Sequence, residues 1–372
     1  MIVYVLLLIL TFMSALLYQV CQRKSSIAYY SIPDSDIETS TGKSMTYAVL
    51  TTFFVCYLIL LCLRDTAVGN DTQSYIKLYF QPFIHMTWKE VIAYKPDELG
   101  FSLLVKLIAT ITTNEHLFVA IIAVISVVPV MMLYRNESKD AAVTCSFFLI
   151  SLLFEFYFSG MRQCLALALT VPAYYMVKRK KIVRFILIAV LAITMHSSAV
   201  MILFLYPMYY AKVNRKTLWI VIPLMAAVYL NSSVIFSYLY NAFGGKYFEK
   251  YAILVGNSNQ YGLMFLFILL SIYSIVMMDE NRASEDDIGL RNLLLLATVI
   301  QCFAPIHDIV SRMNYYYILF IPLAVSRVNA CCKYRFYQIS KVASFVMTVF
   351  FVFYFFFMKG DQLHIMDYKF FF

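Results

Sequence analysis

Residues 159–198 read SGMRQCLALALTVPAYYMVKRKKIVRFILIAVLAITMHSS. Two apolar runs, 161–177 and 182–195, flank the basic tetrad Lys178-Arg179-Lys180-Lys181. Arg162 is the second residue of the first run and His196 follows the second run, both at the end away from the tetrad. Long apolar runs are candidates to cross a bilayer, and short loops rich in Lys and Arg stay on the cytoplasmic side. The stretch therefore reads as a helical hairpin in a membrane. Its basic tip faces inward, and Arg162 and His196 face outward.

The rest of the chain repeats this pattern. Of 372 residues, 62% are apolar, 17% aromatic and only 14% charged. Soluble domains carry about 45–50% apolar and about 25% charged residues, so a soluble enzyme, a disordered chain and a disulfide scaffold are all excluded. Apolar runs recur at 1–20, 45–63, 116–134, 141–158, 161–177, 182–195, 198–211, 216–230, 262–278, 291–305, 314–328 and 343–358. Residues 1–20 have no basic start and no small-residue cleavage site, so they read as a retained first span. The expected architecture is an all-α polytopic integral membrane protein, a single transmembrane domain over 1–372 with about 12 transmembrane helices.

Basic residues orient it. With the loop after span 1 inside, 19 of the 30 Lys and Arg residues face inward and 10 outward. The segment 99–113, with Lys106 at its middle, must then not cross, because crossing would turn the tetrad outward. It reads as a re-entrant or interfacial helix, a form tolerated where protein or water covers its backbone. The net charge of +9 follows these loops and does not point to nucleic acid. Two outer loops, 64–98 and 231–261, are long and rich in Tyr and Phe, as suits the headgroup layer. The eight cysteines show no metal spacing, and no metal site is expected.

Unusual polar residues gather on the outer side. Arg64 to Tyr75 spells Arg-Asp-Thr-Ala-Val-Gly-Asn-Asp-Thr-Gln-Ser-Tyr, with a turn at Gly69-Asn70 and Asp71 placed to cap a helix over 72–80. Arg64 alone could be an interfacial anchor. Glu98 before Leu99-Gly100-Phe101 reads first as a helix-dipole partner. Arg162 could form a structural pair with Glu155, and Arg312 a helical pair with Asp308. His196 could be an interfacial histidine ahead of a capping Ser197 or Ser198. Against these plain readings, charges inside an apolar bundle cost about 2.5–3.5 kcal/mol each and mark pathways or sites. Histidine also has the titration range of a general base near neutrality. Arg64, Arg162 and Arg312, from distant spans, would together suit a lipid-linked phosphate or diphosphate, since guanidinium binds phosphate in a fixed fork. Asp34-Ser35-Asp36 matches the D-x-D of nucleotide-sugar enzymes but sits in a short inner loop, and no phosphate-binding loop or dinucleotide fingerprint is present.

The spaced pattern Arg64…Gly69-x-Asp71…Tyr75, Glu98-x-Gly100-Phe101, Arg162-Gln163, His196 and Arg312…Tyr315-Tyr316 resembles the EpsG family of bacterial exopolysaccharide proteins, akin to the Wzy polysaccharide polymerases. The resemblance covers most of the chain. It implies a GT-C-like membrane glycosyltransferase of the bacterial inner membrane with its active face outside. Such a protein transfers a glycan from undecaprenyl diphosphate to the hydroxyl of a second lipid-linked repeat unit, with inversion and without metal, nucleotide sugar or other cofactor. Its partners are the lipid-linked donor and acceptor, the bilayer, and a chain-length regulator and flippase of the same pathway. Carried over by position, Arg162 and Arg312 clamp the diphosphate with Arg64 assisting. His196 or Asp71 takes the acceptor proton. Gln163, Tyr75, Glu98, Tyr315 and Tyr316 contact substrate. Two other readings remain: a flippase or transporter of lipid-linked oligosaccharide, whose basic residues should line a path through the membrane, and a membrane O-acyltransferase, which needs a deep histidine.

Overall fold

The computed structural model describes residues 40–94, 98–213, 261–305, 308–333 and 363–372, with isolated positions between them. Candidate spans 1–20, 216–230 and 343–358, and nearly all of loop 231–261, fall outside these segments. The described chain is helical and holds only two isolated β-bridges.

Helix α1 (Ser40–Leu63) leads into a run of short helices: α2 (Thr72–Tyr75), a π-helical turn (Ile76–Phe80), α3 (Gln81–His85) and α4 (Trp88–Tyr94). Then come α5 (Leu99–Ile111), α6 (Glu115–Glu137), α7 (Ala141–Ile150), α8 (Leu152–Phe156), α9 (Met161–Lys178) and α10 (Ile182–Met195). A 3-10 helix (Ser197–Phe204) runs into α11 (Leu205–Tyr209). After the undescribed stretch follow α12 (Tyr261–Met277), α13 (Glu285–Gln301), α14 (Asp308–Ile318) and α15 (Ile321–Ala330). Thr46–Leu63 and Glu115–Glu137 are long and apolar enough to cross a bilayer by themselves, and the other apolar helices are shorter. One of the short segments gains reach from its form. Ser197–Phe204 is 3-10 helix, which advances about 2.0 Å per residue against about 1.5 Å for α-helix.

The helix ends are sequence-specified. Asn114 caps α6 by accepting from the Leu117 amide at 2.9 Å, and Asp140 caps α7 through Val143 at 3.1 Å. Ser284 and Asp287 form a reciprocal capping box at the start of α13. Helix α9 ends in a Schellman motif: the Lys181 amide donates to Met176 O at 2.9 Å and the Lys180 amide to Val177 O at 2.8 Å. Lys180 occupies the left-handed position there, at φ 55°, where glycine is usual.

Aromatic side chains fill the core between α1, α6, α7 and α8. Phe54, Tyr57, Tyr134, Phe148 and Phe154 meet at ring separations of 4.9 to 6.4 Å. The buried hydroxyls find acceptors, Tyr57 on Phe154 O and Tyr134 on Leu319 O, both at 2.7 Å, which removes the penalty of an unpaired polar group.

Polar groups collect at two opposite ends of the helices. At one end Lys178 lies 2.8 Å from Glu137 and 2.7 Å from Asp286, and Arg327 lies 2.6 Å from Glu137 and 2.9 Å from Asp287. These residues come from the loops that the sequence groups as inner. The other end holds Arg64–Asp71, Glu98, the Ser159-Gly160 turn, Arg162, His196 and the segment 363–372. Helix α5 belongs to that second end at both its termini. It starts at Glu98 beside Arg162, and Glu115, just after it, accepts from Gln81 of the same loop. Lys106, in its middle, donates to Phe83 O at 2.8 Å.

Candidate active site

Arg162 is the second residue of α9, directly after the turn Ser159-Gly160. Its guanidinium lies over the rings of Tyr75 and Tyr79 at 5.4 and 5.8 Å. It donates to both hydroxyls, from Nε at 3.4 Å and from Nη1 at 3.3 Å. The π-helical turn starting at Ile76 holds these tyrosines side by side, 6.2 Å between ring centres. Such turns recur at functional sites. Burial pushes the Tyr75 hydroxyl up to about 12, against the opposing pull of Arg162, so it stays a neutral donor at working pH.

Glu98 lies beneath. Its Oε2 pairs with Arg162 Nη1 and its Oε1 lies 2.9 Å from His196 Nδ1. Its side chain does not cap α5. The helix-dipole role expected from sequence is therefore not what its carboxylate does. Burial raises this carboxyl, but the His196 hydrogen bond and the Arg162 charge outweigh burial, and the net shift is downward. Close packing makes the contact. A Cβ on Gly100 would stand 2.3 Å from Thr194 Oγ1, so only glycine lets α5 approach the end of α10, where His196 follows Met195 in extended backbone. A histidine that uses Nδ1 toward a carboxylate presents Nε2 as an acceptor.

The adjacent residue of α9 is Gln163, whose Nε2 donates to the Arg312 carbonyl at 2.5 Å. That bond brings α14 to the site. Tyr316 is fully buried, its hydroxyl 3.0 Å from Ser198 Oγ, and Tyr315 packs on Phe156 at 4.4 Å between rings. The Arg312 side chain is exposed.

Loop 64–71 is stitched alongside. Gly69, at φ 95°, sits so close to Phe158 O that a Cβ would stand 1.8 Å away. Thr72 Oγ1 donates to the same carbonyl at 3.1 Å, and the Asp71 amide donates to Ser159 Oγ at 3.1 Å. Segment 363–372 straps the loop from outside: Asp65 donates to Lys369 O at 2.8 Å and Asn70 to Leu363 O at 3.1 Å.

The EpsG family model matches residues 47–370. This chain belongs to the EpsG family. No curated protein and no solved structure matches it. Every residue of the cluster lies inside the span matched to EpsG.

The EpsG-family fold brings together most of the residues singled out by sequence. Arg162, Glu98, His196, Gln163, Tyr75 and Tyr316 meet within bonded contacts, and Arg312 joins through its backbone. Arg162 pairs with Glu98 rather than with Glu155. Asp71 stands at the edge. It occupies the N-cap position of α2, yet its side chain makes no capping bond, and its charge is felt at Tyr75. Arg64 is set apart: 2% exposed, against the Phe158 ring at 5.4 Å, with its backbone bridged to Phe370. Asp308's side chain lies outside the described residues. Sequence reasoning put neither Tyr79 nor Ser198 in the site, reading Tyr79 as an interfacial aromatic and Ser198 as a helix cap. Tyr79 carried a signal, since it stands one helical turn from Tyr75; Ser198 carried none.

Proposed function

We propose that this protein is a polysaccharide polymerase of the bacterial inner membrane, spanning it about twelve times, with the Arg162 end facing outward. It takes a glycan on undecaprenyl diphosphate and transfers it to a hydroxyl of another lipid-linked repeat unit. The observation that carries the reading is the meeting of Arg162 and His196 over one buried carboxylate, Glu98, from parts of the chain far apart in sequence. Arg162 offers a cation for the diphosphate and His196 an acceptor nitrogen for the incoming hydroxyl.

In a single displacement, the acceptor oxygen attacks the anomeric carbon and undecaprenyl diphosphate departs. Charge grows on the departing oxygens, and fixed guanidinium groups stabilise that charge without reorganising. Arg162 and Arg312 take this role. Arg64, held on Phe158, assists through its charge and by fixing the loop that carries Asp71. His196 is the preferred base and Asp71 the second choice. Gln163, Tyr75, Tyr315 and Tyr316 shape the wall against which sugar and lipid lie. The ion-paired opposite end favours a site open on one side over a two-sided transport path.

The test is transfer by purified protein supplied with undecaprenyl-diphosphate repeat units and no nucleotide sugar. Wild type elongates them. Arg162→Ala, Arg312→Ala and His196→Ala lose elongation while remaining folded in the membrane. Full elongation by all three variants defeats the assignment.

A further inference from the structure

Glu98 does two things at once, and they compete. Its Oε2 holds Arg162 and its Oε1 holds His196 Nδ1 at 2.9 Å. Its side chain is 6% exposed, whereas Arg162 and His196 are 27% and 23% exposed. The carboxylate is thus the floor, and the cation and the imidazole form the rim an incoming molecule meets. An anion arriving at Arg162 meets a guanidinium already bound to a carboxylate, and like charges sharing one site repel.

We propose that Glu98 is a positioning residue with two settings: in the empty site it occupies Arg162, and once a diphosphate takes Arg162 it serves His196 alone. The inference rests on the proposed function and adds an order of events to it. Charge counting supports it. The donor diphosphate carries two negative charges, which Arg162 and Arg312 offset. Glu98 is then left with one negative charge and no cation, until His196 becomes an imidazolium. That happens in the transfer step. The acceptor oxygen bonds to the anomeric carbon. The bond from that carbon to the diphosphate oxygen breaks, with its electron pair staying on the diphosphate, and the acceptor proton moves to His196 Nε2. Without donor, Arg162 already neutralises Glu98 and the imidazolium has no counter-charge of its own. The base is therefore armed by the donor, which disfavours proton uptake in a site with nothing to transfer.

The charged and titratable groups facing His196 and Glu98 are Arg162 from α9, Tyr75 and Tyr79 from the first outer loop, and Tyr316 from α14, which feels the Glu98 charge. Burial raises the Tyr75 hydroxyl, which stays neutral near pH 7. The pH response of the pair is then set by Glu98 and by whatever sits on Arg162.

Full-length protein in lipid nanodiscs, with undecaprenyl diphosphate as the binding probe, tests the inference. Wild type binds it and Arg162→Ala does not. Glu98→Gln, which keeps the shape and removes the competing charge, binds about tenfold tighter. Its kcat in elongation falls while its KM for donor falls too, and the acid limb of its rate profile moves to lower pH. Glu98→Asp recovers part of kcat. A purely structural glutamate gives the opposite pattern: weaker binding in Glu98→Gln and an unmoved acid limb. Failure of wild type to bind undecaprenyl diphosphate overturns the functional reading itself. Binding by wild type with no gain in Glu98→Gln overturns only the two settings. If Glu98→Gln does not fold, Glu98→Asp decides: wild-type kcat and an unmoved acid limb overturn the proposal.

Discussion

The two polar ends of the molecule use the same side-chain types to different effect. At the Lys178 end, each acid is saturated. Glu137 receives both Lys178 and Arg327, Asp286 receives Lys178 and the Tyr209 hydroxyl, and Asp287 receives Arg327 and Ser284. At the Arg162 end, one acid serves two partners. Among the described residues, Arg162 Nη2 and the Arg312 guanidinium have no hydrogen-bond partner. Saturation marks a strut, since nothing is left to offer a ligand. Spare donors on a half-open rim mark a site. Burial alone would not separate them, because Glu98 and Glu137 are each 6% exposed in their side chains.

Removing one charge from each end should split the two kinds of loss. Arg327→Ala leaves Glu137 and Asp287 short of a partner in a buried setting, a change that costs about 3–5 kcal/mol. The expected outcome is a marked fall in melting temperature and in folded yield from detergent extracts. Arg162→Ala should instead lower the elongation rate about 10²–10³-fold, with a smaller fall in melting temperature, because it strips one acid rather than two and Glu98 keeps its bond to His196. If Arg162→Ala unfolds the protein as Arg327→Ala does, the contrast between strut and site is broken.

The ends differ, too, in how far sequence foretold them. Among the described residues, the apolar runs placed most of the helices, although the run 141–158 breaks at extended Ser151 into α7 and α8, and the runs and basic loops placed Arg162 and His196 at one end. They also grouped Lys178, Arg282 and Arg327 correctly at the other end. What sequence could not assign was pairing. Glu98 reads as a helix-start carboxylate, and its true partners lie 64 and 98 residues away. Glu155 looked the better mate for Arg162 because it is near in the chain. Asp71 sits at an N-cap position without capping, and Arg64, which resembles a phosphate ligand by composition, lies buried on an aromatic ring. Local rules see neighbours along the helix, whereas these pairings are decided by the approach of α5 to α10.

Acid should sharpen the comparison more gently than mutation. Glu98 and Asp286 both have carboxyls held below the ordinary range. Burial opposes this in each case. For Glu98 the His196 hydrogen bond and Arg162 charge prevail, and for Asp286 the bonds from Lys178 and Tyr209 do. A depressed carboxyl contributes stability that is fully present above its unfolded pKa and is lost as pH falls through the folded value. The melting temperature should therefore hold steady from neutrality down to the ordinary carboxylate range and drop only below it. Glu98→Gln and Asp286→Asn should each flatten part of that drop. With undecaprenyl diphosphate bound, the Glu98 share should shrink, because Arg162 no longer holds its carboxylate low, while the Asp286 share stays as it was. Melting curves across pH, with and without the lipid, measure both.

The smallest expected effect comes from the rim of the strut end. Lys180 closes α9 in left-handed backbone at φ 55°, a conformation that strains any residue with a Cβ, and its ammonium lies 3.0 Å from Glu285 and over the Tyr210 ring at 5.1 Å. Both partners of that ion pair are more than half exposed, so solvent screens it and it contributes little. Glycine at this position removes the strain and loses only the screened pair. Lys180→Gly should thus leave elongation unchanged and move the melting temperature up by a few degrees or less. A fall instead would mean that the exposed pair to Glu285 anchors the half-buried Lys178–Glu137–Asp286 contacts next to it, and that the strut extends further out than its saturated core.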